Sequence, residues 1–176
     1  MRNTAFLLLG IGLLLLQSNL FRLVGPLHVA GITPSLMLPL IVFMGVHEYS
    51  LARGAALSFV LGYLVDVFTS APVGLYTFTS VAIFVVSRVA GVRLAAQTML
   101  TKMALAFAFS LLEGTIVIIL TAIFGKDDPG RPRALAALVL PQALATALCA
   151  PIVFRLAQRV HEVTMAVPHP EKVTGK

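Results

Sequence analysis

Long apolar runs, separated by short polar or proline-containing joints, dominate the chain. Six fall at roughly 5–24, 32–47, 52–68, 74–90, 101–124 and 134–156. The strands of a membrane barrel alternate at period two, but Ala5 to Leu16 and Met103 to Phe124 are apolar on every face. A helix satisfies its own backbone in hydrocarbon and needs ~20 residues to cross it. The pattern therefore predicts an all-α integral membrane protein. Six transmembrane helices form one bundle over 1–166, followed by a short tail, 167–176, expected to be disordered because Pro168, Pro170 and Gly175 stand among charges. The second and third runs are the shortest, which suits a tilted or partly interfacial placement.

Composition agrees with the pattern and leaves no segment for a water-soluble domain: 59% of residues are hydrophobic, 11% are charged and the mean hydropathy is +0.97. Charge adds an orientation. With the amino terminus inside, nine of the thirteen Lys and Arg face the cytoplasm (Arg2, Arg53, Arg88, Arg93, Lys102, Arg155, Arg159, Lys172, Lys176). Arg22, Lys126, Arg131 and Arg133 face outward. By the positive-inside rule both termini are cytoplasmic. The net charge of +6 then reflects juxtamembrane cations facing anionic lipid, and no nucleic acid is needed to explain it. The first run follows Arg2, but no small-x-small cleavage site appears at Gln17 to Arg22, so it reads as a retained span rather than a signal peptide. The single Cys149 reads as a small packing residue.

The joints predict sequential antiparallel hairpins. Between the third and fourth runs stand only Thr69-Ser-Ala-Pro-Val73, where Pro72 cannot continue a helix and Gly74 tolerates a strained backbone angle. The longest outer loop, Gly125 to Arg133, has two prolines and two glycines and reads as an irregular turn. Small residues recur every four positions as Gly54, Ser58, Gly62 and then Asp66, and again as Ala106, Ser110 and Gly114. Such ridges allow close helix approach in lipid, either inside the bundle or against a partner's membrane helix.

Two acids interrupt the oil. Asp66 falls near the outer end of the third helix, positioned to accept hydrogen bonds from the Thr69 and Ser70 turn or to pair with another helix or a partner. Glu113 lies mid-span, where a carboxyl must be protonated, paired or turned to a wet cavity. With no basic residue expected at that depth, either protonation or a hydrogen bond to Gln142, beside Pro141, is expected, and Pro141 and Pro151 open that helix's backbone to such contacts. Catalytic patterns fail. His47-Glu-Tyr-Ser-Leu51 starts like a zinc motif but has Leu51 where the second ligand belongs. Gly-x-Ser-x-Gly is absent, and His28, His161 and His169 have no spaced partners. No enzyme, metal or cofactor is expected.

Gly62-x-x-x-Asp66 followed by Pro72-x-Gly74-x-Tyr76 resembles the signature hairpin of the rod shape-determining protein MreD family, and the likeness reaches back to Gly54 and Pro34. It spans about Thr33 to Leu94, with Pro151 and the basic end at Arg155 and Arg159 matching beyond it. The resemblance implies a non-enzymatic scaffold in the bacterial inner membrane. Such a scaffold binds MreC and helps couple MreB filaments to peptidoglycan synthesis by a RodA-type glycosyltransferase and a class B penicillin-binding protein. It also implies a fold similar to the substrate-binding subunits of energy-coupling-factor vitamin transporters. A transporter subunit is thus the alternative function, although the first helix offers Gly10 and Gly12 and no repeated Ala-x-x-x-Ala for a coupling subunit.

Overall fold

The computed structural model describes residues 2–24, 34–47, 50–69, 72–90, 98–124 and 131–165, and these are all-helical. In chain order the helices are α1 (Arg2–Val24), α2 (Met37–Val46), α3 (Leu51–Phe68), α4 (Leu75–Val89), α5 (Met99–Phe124) and α6 (Arg131–Met165). The turn at Ser70, residues 91–97 between α4 and α5, most of the loop expected to lie outside (125–130), His28, and the tail from 166 lie outside the described residues.

Each apolar run becomes a helix, but the lengths are unequal. Three stretches are long and apolar enough to cross a membrane: Leu51–Phe68, Met99–Phe124 and, within α6, Leu135–Thr164. The apolar parts of α1, α2 and α4 are shorter. α6 overruns the expected 134–156 at both ends, because Arg155 to Thr164 contains no glycine or proline to stop it. Pro141 and Pro151 are both accommodated inside it.

α2 departs furthest from the expected span of 32–47. Its ten residues rise only about 15 Å, and every one of them is buried. It touches each of the other five helices and so forms the centre of the bundle. Phe43 is the hub, with ring centroids 6.2 Å from Phe6 of α1 and 6.0 Å from Phe154 of α6. Around α2 four of the remaining helices pair as two hairpins, α3 with α4 and α5 with α6, and α1 packs against α6 and α3.

A buried helix start needs partners for its free N–H groups, since neither water nor lipid supplies them there. Distant side chains do so. The Ser35 N–H donates to Thr146 Oγ1 of α6 at 3.0 Å, and the Leu36 N–H to Gln17 Oε1 of α1 at 3.0 Å. Thr146 passes the chain on by donating its hydroxyl to the Gln142 carbonyl at 2.8 Å. Pro34, buried at the head of α2, lacks an N–H, and so does Pro39 in the first turn.

Candidate functional site at the joint of α3 and α4

The joint begins as a turn. The Leu75 N–H returns to the Pro72 carbonyl at 3.2 Å, and Gly74 takes φ 99°, ψ −13°, the left-handed corner that a type II turn reserves for glycine. This reversal lays α4 back along α3 and aims the first turn of α4 at Asp66. The carboxylate is almost fully buried. Its Oδ1 accepts from the Tyr76 N–H at 2.8 Å. Its Oδ2 accepts from the N–H groups of Gly74 (2.9 Å) and Thr77 (3.0 Å) and from the Thr77 hydroxyl (2.5 Å). The acid thus caps the positive end of α4 from a neighbouring helix. Of the two roles expected for Asp66, these bonds serve the one toward another helix, and the Ser70 half of the other lies outside the described residues. The Thr69 hydroxyl binds the Val65 carbonyl instead.

The ridge that leads to Asp66 packs inside the bundle. A Cβ on Gly62 would stand 2.7 Å from the Thr77 Cα and 2.8 Å from the Tyr76 carbonyl oxygen, and one on Gly54 would stand 2.2 Å from the Phe84 ring. Ser58 is fully buried on the same face, its hydroxyl without a hydrogen-bond partner. The surface envisaged for a partner helix is therefore occupied by α4. On α5, Gly114 serves the other hairpin, where an added Cβ would lie 2.6 Å from Val139 Cγ1 of α6.

Beside the joint, at the end of the bundle where α2 and α4 begin and α1 and α3 finish, is a cavity of about 400 Å³. Gln17, Ser18, Ser35, Ser80, Glu113 and Gln142 provide its polar lining, and Leu14, Met37, Ile41, Val65 and Phe68 its apolar wall. Tyr76 and Glu113 also line a smaller space of about 70 Å³ toward Val117 and Leu138. Glu113 Oε2 is buried with no hydrogen-bond partner. Gln142 shares both spaces with Glu113, and Ser35 of the α2 start shares the larger one; the expected bond from Gln142 does not reach Oε2.

Comparison with protein families, with curated proteins and with solved structures returned no match to this chain.

The structure brings Gly62, Asp66, Pro72, Gly74 and Tyr76 into one unit and sets Glu113 across the cavity from it. Pro34 lies close by through its neighbour Ser35, whereas Gly54 packs lower down, against Phe84. Sequence reasoning missed Gln17, Ser35, Thr77 and Thr146. Thr146 is a lone polar residue in an apolar run, which is a usable sign of a helix-to-helix bond in lipid, whereas Gln17, Ser35 and Thr77 stand beside other polar residues or a proline; nothing local names the partner of any of them.

Proposed function

We propose that this chain is a non-enzymatic, six-span scaffold of the bacterial inner membrane with both ends cytoplasmic, acting in cell elongation as the MreD family does. In this reading it binds the membrane helix and juxtamembrane region of MreC. Through MreC it links MreB filaments to a RodA-type glycosyltransferase and a class B penicillin-binding protein. One observation carries the proposal: the five residues of the hairpin resemblance are also the five that form one mechanical unit. Gly62 admits α4, Pro72 and Gly74 make the turn, and Asp66 locks the backbone of Gly74 and Tyr76. A motif whose members depend on one another is a stronger sign of kinship than the same residues scattered. Because the Gly54 to Asp66 ridge is filled by α4, the partner helix would dock on another face, and the hairpin would act by holding that face rigid.

The cavity favours a second reading, the substrate-binding subunit of an energy-coupling-factor transporter. One experiment separates the two: cross-linking in native membranes, purification of this protein in mild detergent, and mass spectrometry of what accompanies it. MreC with wall synthases supports the scaffold; a pair of ATPases with a coupling subunit replaces it by the transporter; recovery of neither set removes both.

A further inference from the structure

A carboxyl deep in a membrane bundle requires a reason. Asp66 has one, since four donors converge on it. Glu113 is less well provided for: its Oε2 is buried without a partner, and an unmade bond of that kind is destabilising. The cavity it lines falls in the range of small-molecule sites, which run from about 300 to 1,000 Å³ and combine apolar walls with a few convergent polar groups. Among the described residues, no Lys, Arg or His lines it. On these described walls the one ionisable carboxyl is that of Glu113, which a cation would meet and an anion would not match. The terminal torsion of a glutamate is soft, so either oxygen can turn to the space.

We propose that this cavity binds a small molecule carrying a primary ammonium group on an apolar body, with the ammonium on Glu113 and the body against Leu14, Ile41, Val65 and Phe68. Neutral hydroxyls and amides complete the cradle: Ser35 and Gln142 stand beside the acid, and Gln17 and Ser80 along the wall. Ser18 and Thr69 are lining residues that are also exposed, and they mark the mouth between the ends of α1 and α3. The inference goes beyond the scaffold reading and stands or falls without it.

The test uses the full chain in lipid nanodiscs. Methylammonium, butylammonium and phenethylammonium are the probes, each set against its alcohol, and binding is read as a saturable rise in thermal unfolding midpoint. At least one amine should raise the midpoint while its alcohol does not. Glu113→Gln should weaken that amine by about tenfold or more, as expected for a lost charge-assisted bond. Ser18→Phe, a change on the exposed face of α1 that fills the mouth, should weaken it with the carboxyl intact; should Glu113→Gln fail to fold, this variant and the amine-to-alcohol comparison decide. An absence of any amine-specific shift in the native protein overturns the proposal and leaves a water-filled space. An equal shift in native and Glu113→Gln protein, or in native and Ser18→Phe protein, also overturns it, because the amine is then bound elsewhere.

Discussion

Replacing Asp66 with Asn changes one atom of the side chain and tests the joint directly. The carboxylate takes three donors at Oδ2 (the Gly74 and Thr77 N–H groups and the Thr77 hydroxyl) and one at Oδ1, the Tyr76 N–H. An amide has a single acceptor oxygen. In its better orientation that oxygen replaces Oδ2, and the NH2 group then points at the Tyr76 N–H, donor against donor. The loss is one bond to a charged group, about 1.5–3 kcal/mol, together with the attraction between the charge and the start of α4, about 0.3–2 kcal/mol. Asn should therefore destabilise the protein by about 2–5 kcal/mol. Leu, which leaves every one of these buried N–H groups unpaired, should prevent assembly of the α3–α4 hairpin.

The assay is equilibrium unfolding in mixed micelles, followed by circular dichroism, with native, Asn and Leu proteins compared at the same pH. A loss under about 0.5 kcal/mol for Asn, the size of an ordinary surface change, would refute the argument that the cap depends on charge and on four simultaneous bonds. A loss as large as that of Leu would refute the idea that a single amide oxygen can keep the three Oδ2 bonds.

Gly62→Ala should cost about 1–3 kcal/mol or more in the same assay, because its Cβ would meet the backbone of Tyr76 and Thr77, which cannot swing aside. Gly12→Ala should instead be neutral or stabilising by up to about 1 kcal/mol, since nothing lies within 4 Å of its Cβ. Gly74→Ala has open space but a left-handed backbone, so a loss of about 1–2 kcal/mol is expected from conformation alone; an unchanged midpoint would mean that the turn relaxes. Ser58→Ala removes a buried hydroxyl that bonds to nothing and should leave stability unchanged or raise it by about 1 kcal/mol. Thr146→Val deprives the Ser35 N–H of its acceptor and should destabilise by about 1–3 kcal/mol, seen as faster amide exchange at the start of α2.

What could be read from the sequence was whatever has a local cause. Helical character followed from apolar runs without alternation, and the α3–α4 turn from Pro72 and Gly74. The close approach at Gly62 followed from small residues four apart. The end points of α2 did not: Thr33, Pro34 and Ser35 open the run, but the apolar residues from Leu36 to Val46 carry no local stop, and the packing of five neighbours decides how much of it coils. The caps of α2 were hidden for a different reason: Gln17 and Thr146 lie 19 and 111 residues from the N–H groups that they serve. Glu113 was legible as an anomaly and not as a bond. Gln142, the partner expected from the sixth span, does share both spaces with it, yet Oε2 is left without a hydrogen bond.

The cavity and the short central helix share one physical origin. A helix rising about 15 Å cannot fill a layer about 30 Å thick, so the longer helices around α2 enclose a space beyond its first turn. That first turn exposes N–H groups, and the space consequently acquires polar walls: Gln17 is there because Leu36 needs an acceptor, and Thr146 is held close by because Ser35 needs one. Much of the polarity of the site is thus a consequence of ending a helix in oil. Glu113 answers no such need, since it caps no helix and leaves Oε2 unpaired. If its purpose lies in the cavity, Glu113→Leu should fold as well as the native chain or better, by the same logic that makes replacement of a buried unpaired polar group by a hydrophobe favourable. It should lose whatever depends on the cavity. If instead Glu113→Leu unfolds while Glu113→Gln does not, a hydrogen-bonding side chain at 113 supports the fold, and the cavity is only the space that a ten-residue helix leaves behind.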